Sequence, residues 1–72
     1  MIPTSSNAII RWYEETIFPM THQPLRILAK EDNLFVIEAA PRIGFNPVLD
    51  HKGIRLTTIQ EGLIYLIFQR DF

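Results

Sequence analysis

Thr57-Thr58-Ile59-Gln60-Glu61-Gly62-Leu63-Ile64-Tyr65-Leu66-Ile67-Phe68-Gln69-Arg70 is the stretch on which the fold turns. Thr58 followed three residues later by Glu61 fits a capping box, the reciprocal hydrogen-bonding pattern that opens a helix. A helix over 58–70 sets Glu61, Tyr65 and Gln69 on one stripe and Ile59, Leu63, Leu66 and Ile67 on the other. Against it, Gly62 costs about 1 kcal/mol in a helix interior, and Ile64, Tyr65, Ile67 and Phe68 favour strands. The alternative is a hairpin looping at Gln60-Glu61-Gly62, with Leu63–Gln69 a strand apolar on both faces, as a central strand is. The capping box makes the C-terminal helix the expectation and the final strand its alternative.

Upstream the period is two. Leu25, Ile27 and Ala29 alternate with Arg26, Leu28 and Lys30. Glu31-Asp32-Asn33 is a turn cluster, and Leu34-Phe35-Val36-Ile37-Glu38-Ala39 reads as a return strand, giving a β-hairpin. Residues 4–18 read as a helix. Thr4, Ser5 and Ser6 are N-cap types. Ile9, Tyr13 and Ile17 recur every four residues beside Ile10, and Arg11 stands three and four residues from Glu14 and Glu15. Pro19 is expected to end this helix. Residues 40–53 are punctuated by Pro41, Gly44, Pro47 and Gly53. Val48-Leu49 and Ile54-Arg55-Leu56 flank an Asp50-His51-Lys52-Gly53 turn and form a candidate minimal hairpin, the alternative being that only the second joins the sheet.

The expected architecture is a single small α+β domain over residues 1–72. An N-terminal helix packs on an antiparallel sheet of three to four strands. Seventy-two residues without cysteine exclude a disulfide framework, a thiolate metal site and a cysteine nucleophile. Seven basic against eight acidic residues give a formal charge of −1, which exerts no general pull on nucleic acid or membrane. Met1–Asn7 has neither a basic residue nor an apolar core, so no secretory leader is expected. The apolar run Leu63–Phe68 is far shorter than the roughly 20 residues of a membrane span. A cytoplasmic location is the simplest expectation.

No residue pattern announces an enzyme. His51 beside Asp50 and His22 between Thr21 and Gln23 read as solvated turn residues, and nothing resembles HExxH. Glu14-Glu15 are about 100° apart on a helix and share no site. Ser5 and Ser6 read as caps, and the three scattered glycines form no phosphate-cradling loop. The expectation is therefore no catalytic residue, no metal and no cofactor.

An α-β-β-β-α order resembles that of double-stranded-RNA-binding domains. The resemblance implies bases at the start of the last helix, where this chain has Thr57-Thr58-Ile59-Gln60-Glu61. A modest basic patch of Arg26, Lys30, Lys52 and Arg55 keeps nucleic acid as an alternative partner. Pro41-Arg42-Ile43-Gly44-Phe45-Asn46-Pro47 is a proline-bracketed loop carrying residue types common among interface anchors. With Trp12 beside the helix stripe, Arg42, Ile43 and Phe45 form the candidate partner-binding set. The competing role for Ile43 and Phe45 is to turn inward and seal the core. The functional expectation is a non-enzymatic protein–protein interaction module. It would be a small regulator or inhibitor of a larger host assembly, for example a phage-type regulator of RNA polymerase and transcription. A second alternative is homo-oligomerisation through the apolar segment Leu63–Phe68.

Overall fold

The computed structural model describes residues 6–72. An N-terminal helical rod comes first, in three parts: α1 (Ser6–Trp12), a π-helical turn (Tyr13–Ile17) and α2 (Phe18–Thr21). There follow β1 (Leu25–Lys30), α3 (Leu34–Ala39), a 3-10 turn (Ala40–Ile43), β2 (Asn46–Pro47), β3 (Thr57–Gln60) and β4 (Leu63–Arg70). This is an α+β domain with its helices packed on a four-stranded antiparallel sheet.

Pro19 does not end the first helix. Phe18 N–H donates to the Tyr13 carbonyl, five residues back, and Pro19 opens α2. A proline ring clashes with the carbonyl four residues before it and leaves that acceptor unused. Widening the preceding turn to a π-turn relieves the clash and lets the rod continue. It stops at His22, which takes a left-handed conformation (φ 55°) and donates its N–H to the Phe18 carbonyl at 2.8 Å. The expected N-caps Thr4 and Ser5 lie outside the described residues.

The C-terminal segment is the strand rather than the helix. β4 pairs with β1 along six residues, from Leu25↔Arg70 to Lys30↔Tyr65. On its other edge it pairs first with β3 (Thr57↔Leu66 to Gln60↔Leu63) and then with β2 (Asn46↔Gln69, Pro47↔Phe68). The switch falls at Ile67, whose carbonyl accepts from Val48 N–H and whose N–H donates to Leu56. Glu61 and Gly62 carry φ of 52° and 77°, the paired positive values of a type I′ hairpin turn. A helix has no place for either, so the capping box is not used. β4 is thus central and is paired along both edges.

Residues 34–39 are helical rather than a return strand. The Asn33 side chain caps α3 by accepting from Val36 N–H at 3.3 Å. Val36, Ile37 and Ala40 then turn toward the core at helical spacing. The element order is therefore α-β-α-β-β-β, which removes the resemblance to double-stranded-RNA-binding domains. Val48–Leu56 does form the minimal hairpin, through the bridge Leu49↔Arg55. Its turn is tied by Asp50 Oδ1, which accepts from Lys52 and Ile54 N–H.

The core lies on one face of the sheet. Ile10, Ala29, Ala40, Phe45 and Phe68 are buried there, with Phe68 wholly inaccessible. Tyr13 and Phe18 meet the ring of Phe72 at 5.6 and 5.4 Å and hold the rod to the end of the sheet. The type I′ turn yields a paired prediction. Gly62→Ala should destabilise by about 1 kcal/mol, because a Cβ disfavours positive φ. Glu61→Asn should stabilise by roughly 0.5–1 kcal/mol, because asparagine tolerates that region. Urea denaturation of both variants gives the two signs.

Candidate functional site

Side chains alternate across the sheet, so the registers sort its residues onto two faces. Ile27, Ala29, Leu66 and Phe68 share the face that the helices cover. Arg26, Leu28, Lys30, Leu63, Tyr65, Ile67 and Gln69 share the other. Among the described residues, the helical elements bring no core residue to this second face. Leu28 and Leu63 remain 42% and 41% exposed there, and Tyr65 and Ile67 are half-buried. Leu28 stands directly opposite Ile67, so the apolar side chains run across the strands as well as along β4. Arg26 Nε donates to Gln69 Oε1 at 2.8 Å, and Lys30 lies 3.8 Å from Asp32. These polar pairs border the apolar strip.

A second apolar exposure lies at the hairpin end. Ile59 and Ile64 are cross-strand partners, and Glu31 N–H donates to the Ile64 carbonyl, which brings the turn before α3 to the same end. Phe35 is 80% exposed, and Leu34 and Ile59 are also largely in solvent. Sequence reasoning missed Leu34 and Phe35 because residues 34–39 read as a strand. The signal was Asn33, an N-cap type directly before the apolar run.

The proline-bracketed segment 41–47 is compact. Pro41 enters the 3-10 turn, Gly44 closes it with φ 90°, and Phe45 N–H donates to the Ala40 carbonyl at 3.0 Å. This reversal drives Phe45 into the core, where it is 2% exposed. Of the four expected anchors, Phe45 is thus withdrawn from the surface. Ile43 is half-buried, lining an apolar dent of about 160 Å³ with Ile9, Leu25 and Ile27. Arg42 and Trp12 are exposed.

The four expected bases do not form one patch. Arg26 and Lys30 share the open face of β1. Arg55 instead sets its guanidinium 5.0 Å from the centre of the Phe68 ring, which belongs to the covered face. Lys52 sits in the Asp50–Gly53 turn. His51 is in that same turn, and His22 and Phe18 pack as a T-shaped ring pair with centroids 5.7 Å apart. Among the described residues no three metal-ligating side chains cluster, and no helix is long and apolar enough to cross a membrane.

Opposite the open face lies a polar groove of about 600 Å³ whose walls carry Arg11, Arg42 and Arg70 with Glu14 and Glu15. Arg11 was expected to pair with these acids. Among the described residues, however, the one ion pair is Lys30–Asp32. The π-turn beginning at Tyr13 changes the angular spacing that brings residues three and four apart together in an α-helix. Arg70 Nη1 donates to the Ile43 carbonyl at 3.0 Å, and the guanidinium lies 5.5 Å from the centre of the Phe72 ring. It occupies the space where a side chain on Gly44 would project.

Gly44 is therefore required twice, by its positive φ and by Arg70. Gly44→Ala should destabilise by about 2 kcal/mol or more. The same change in an Arg70→Met background should cost measurably less, because the steric conflict is then relieved. A denaturation double-mutant cycle reads the coupling. No protein family, curated protein or solved structure matches this chain.

Proposed function

We propose that this protein is a non-enzymatic protein–protein interaction module, a small regulator or inhibitor that works by occupying a surface of a larger protein. The observation that carries this reading is the uncovered face of the sheet. β4 is apolar on both faces, a pattern ordinarily associated with strands covered on both sides, yet the helices pack on one. Contiguous apolar surface bordered by polar side chains is characteristic of docking sites. Leu28, Leu63, Tyr65 and Ile67 supply the apolar centre, and Arg26, Lys30 and Gln69 supply the rim.

Burying such a face against a partner stabilises the complex by roughly 25 cal/mol per Å² of apolar surface, before ordering costs. A charged side chain placed at its centre removes that gain and adds a desolvation cost. The tagged chain should therefore recover a stoichiometric protein partner from its host. Leu28→Glu or Leu63→Glu should abolish recovery with little change in thermal unfolding, since both positions are already exposed. Trp12→Ala and Arg42→Ala, on the helix side, should retain the partner. Loss confined to those two variants would move the docking site to the helix side, to Trp12 and Arg42. Failure of the wild-type chain to enrich any partner would remove the reading.

A further inference from the structure

We propose that the groove between the N-terminal helix, the 3-10 turn and the end of β4 is a binding site for a phosphate group. Three arginines line it from three separate elements: Arg11 from α1, Arg42 from the 3-10 turn and Arg70 from β4. Such convergence comes from tertiary structure rather than from a run of charge in the sequence.

Arg70 is the fixed member. Its side chain is half-buried, and one nitrogen is held by the Ile43 carbonyl while Phe72 lies beside the guanidinium. Gly44 leaves the space it fills. Its Nε is shut off from solvent with no acceptor. The charge thus rests on one neutral carbonyl and one ring, and among the described residues no carboxylate is ion-paired to it. A partly desolvated cation lacking an anionic partner is costly, and an anion in the groove compensates it. A phosphate monoester matches the set better than a carboxylate. It offers three acceptor oxygens and close to two negative charges, whereas a carboxylate offers two oxygens and one. Glu14 and Glu15 share the walls, leaving three cations against two anions. They therefore weaken binding rather than contribute to it. The site stands apart from the open sheet face and does not depend on it.

Burial of the Arg70 Nε–H should slow its exchange with water, which makes it a side-chain reporter in nitrogen-15 NMR. Titration with inorganic phosphate, at ionic strength held constant with sodium chloride, should shift that resonance and the Gly44 amide saturably. Arg11→Gln and Arg42→Gln, both exposed positions, should each raise the half-saturation concentration about tenfold. Glu14→Gln and Glu15→Gln should lower it, a direction that a purely structural role for the groove would not produce. Phosphoserine and adenosine monophosphate, titrated in the same way, distinguish a phosphorylated side chain from a nucleotide as the source. Shifts that fail to saturate, or that acetate reproduces at equal concentration, would overturn the proposal.

Discussion

The burial of Phe68 is the contact from which the rest of the packing follows. It projects from the central strand, opposite Ile27, into a cluster with Ile10, Ala29, Ala40 and Phe45. Ala29 and Ala40 are small, and both are almost inaccessible. Ala29 on β1 and Ala40 at the start of the 3-10 turn thus bring little side-chain volume to the cluster around Phe68. Arg55 lies against the ring from the side of the Val48–Leu56 hairpin. A charged residue thereby helps exclude water from the most buried side chain, its guanidinium lying against an aromatic face. So small a core leaves many large apolar residues outside it. The surface chemistry of this protein is a direct consequence of its size.

The first helix and β1 were legible because each repeats one period without competition. Residues 34–39 were not. Phe35, Val36 and Ile37 favour strands when read locally. Three constraints outweigh that preference: the Asn33 cap, the inward spacing of Val36, Ile37 and Ala40, and the need to cover Phe68. The 57–70 stretch failed for a different reason. Its capping box is a genuine local pattern, but Glu61 and Gly62 adopt dihedrals that close a hairpin and cannot lie in a helix. The many inter-strand pairs of β4 outweigh one cap. Pro19 was legible as a disturbance, but not in kind, because the sequence alone does not say whether a helix breaks or widens a turn around a proline.

Residues 41–47 stood out in the sequence through their prolines and glycine, and they are conformationally special. What the sequence could not convey was direction. Gly44 reverses the chain and sends Phe45 inward, while Arg42 stays outside. The link between Gly44 and Arg70 was also invisible. It rests on a contact between residues 27 positions apart, Ile43 and Arg70, that exists only once β4 is the central strand. A groove built from three elements has no local signature, so no motif search finds it.

The two surfaces argued for lie on opposite sides of one strand. Leu63, Tyr65 and Ile67 project from β4 to the open face, whereas Phe68 and Arg70 project toward the helices. With one sheet between them, a macromolecule on the open face and an anion in the groove do not compete for space. Any influence of one on the other has to pass through β4 and the Arg70–Ile43 hydrogen bond. That bond joins the strand to the 3-10 turn and hence to Ala40 in the core. An anion that draws Arg70 outward would weaken this tie, while one that meets it in place would strengthen it. The rigidity of Arg70 against Gly44 and Phe72 favours the second case. A preorganised cation gains from its ligand without first breaking its own contacts.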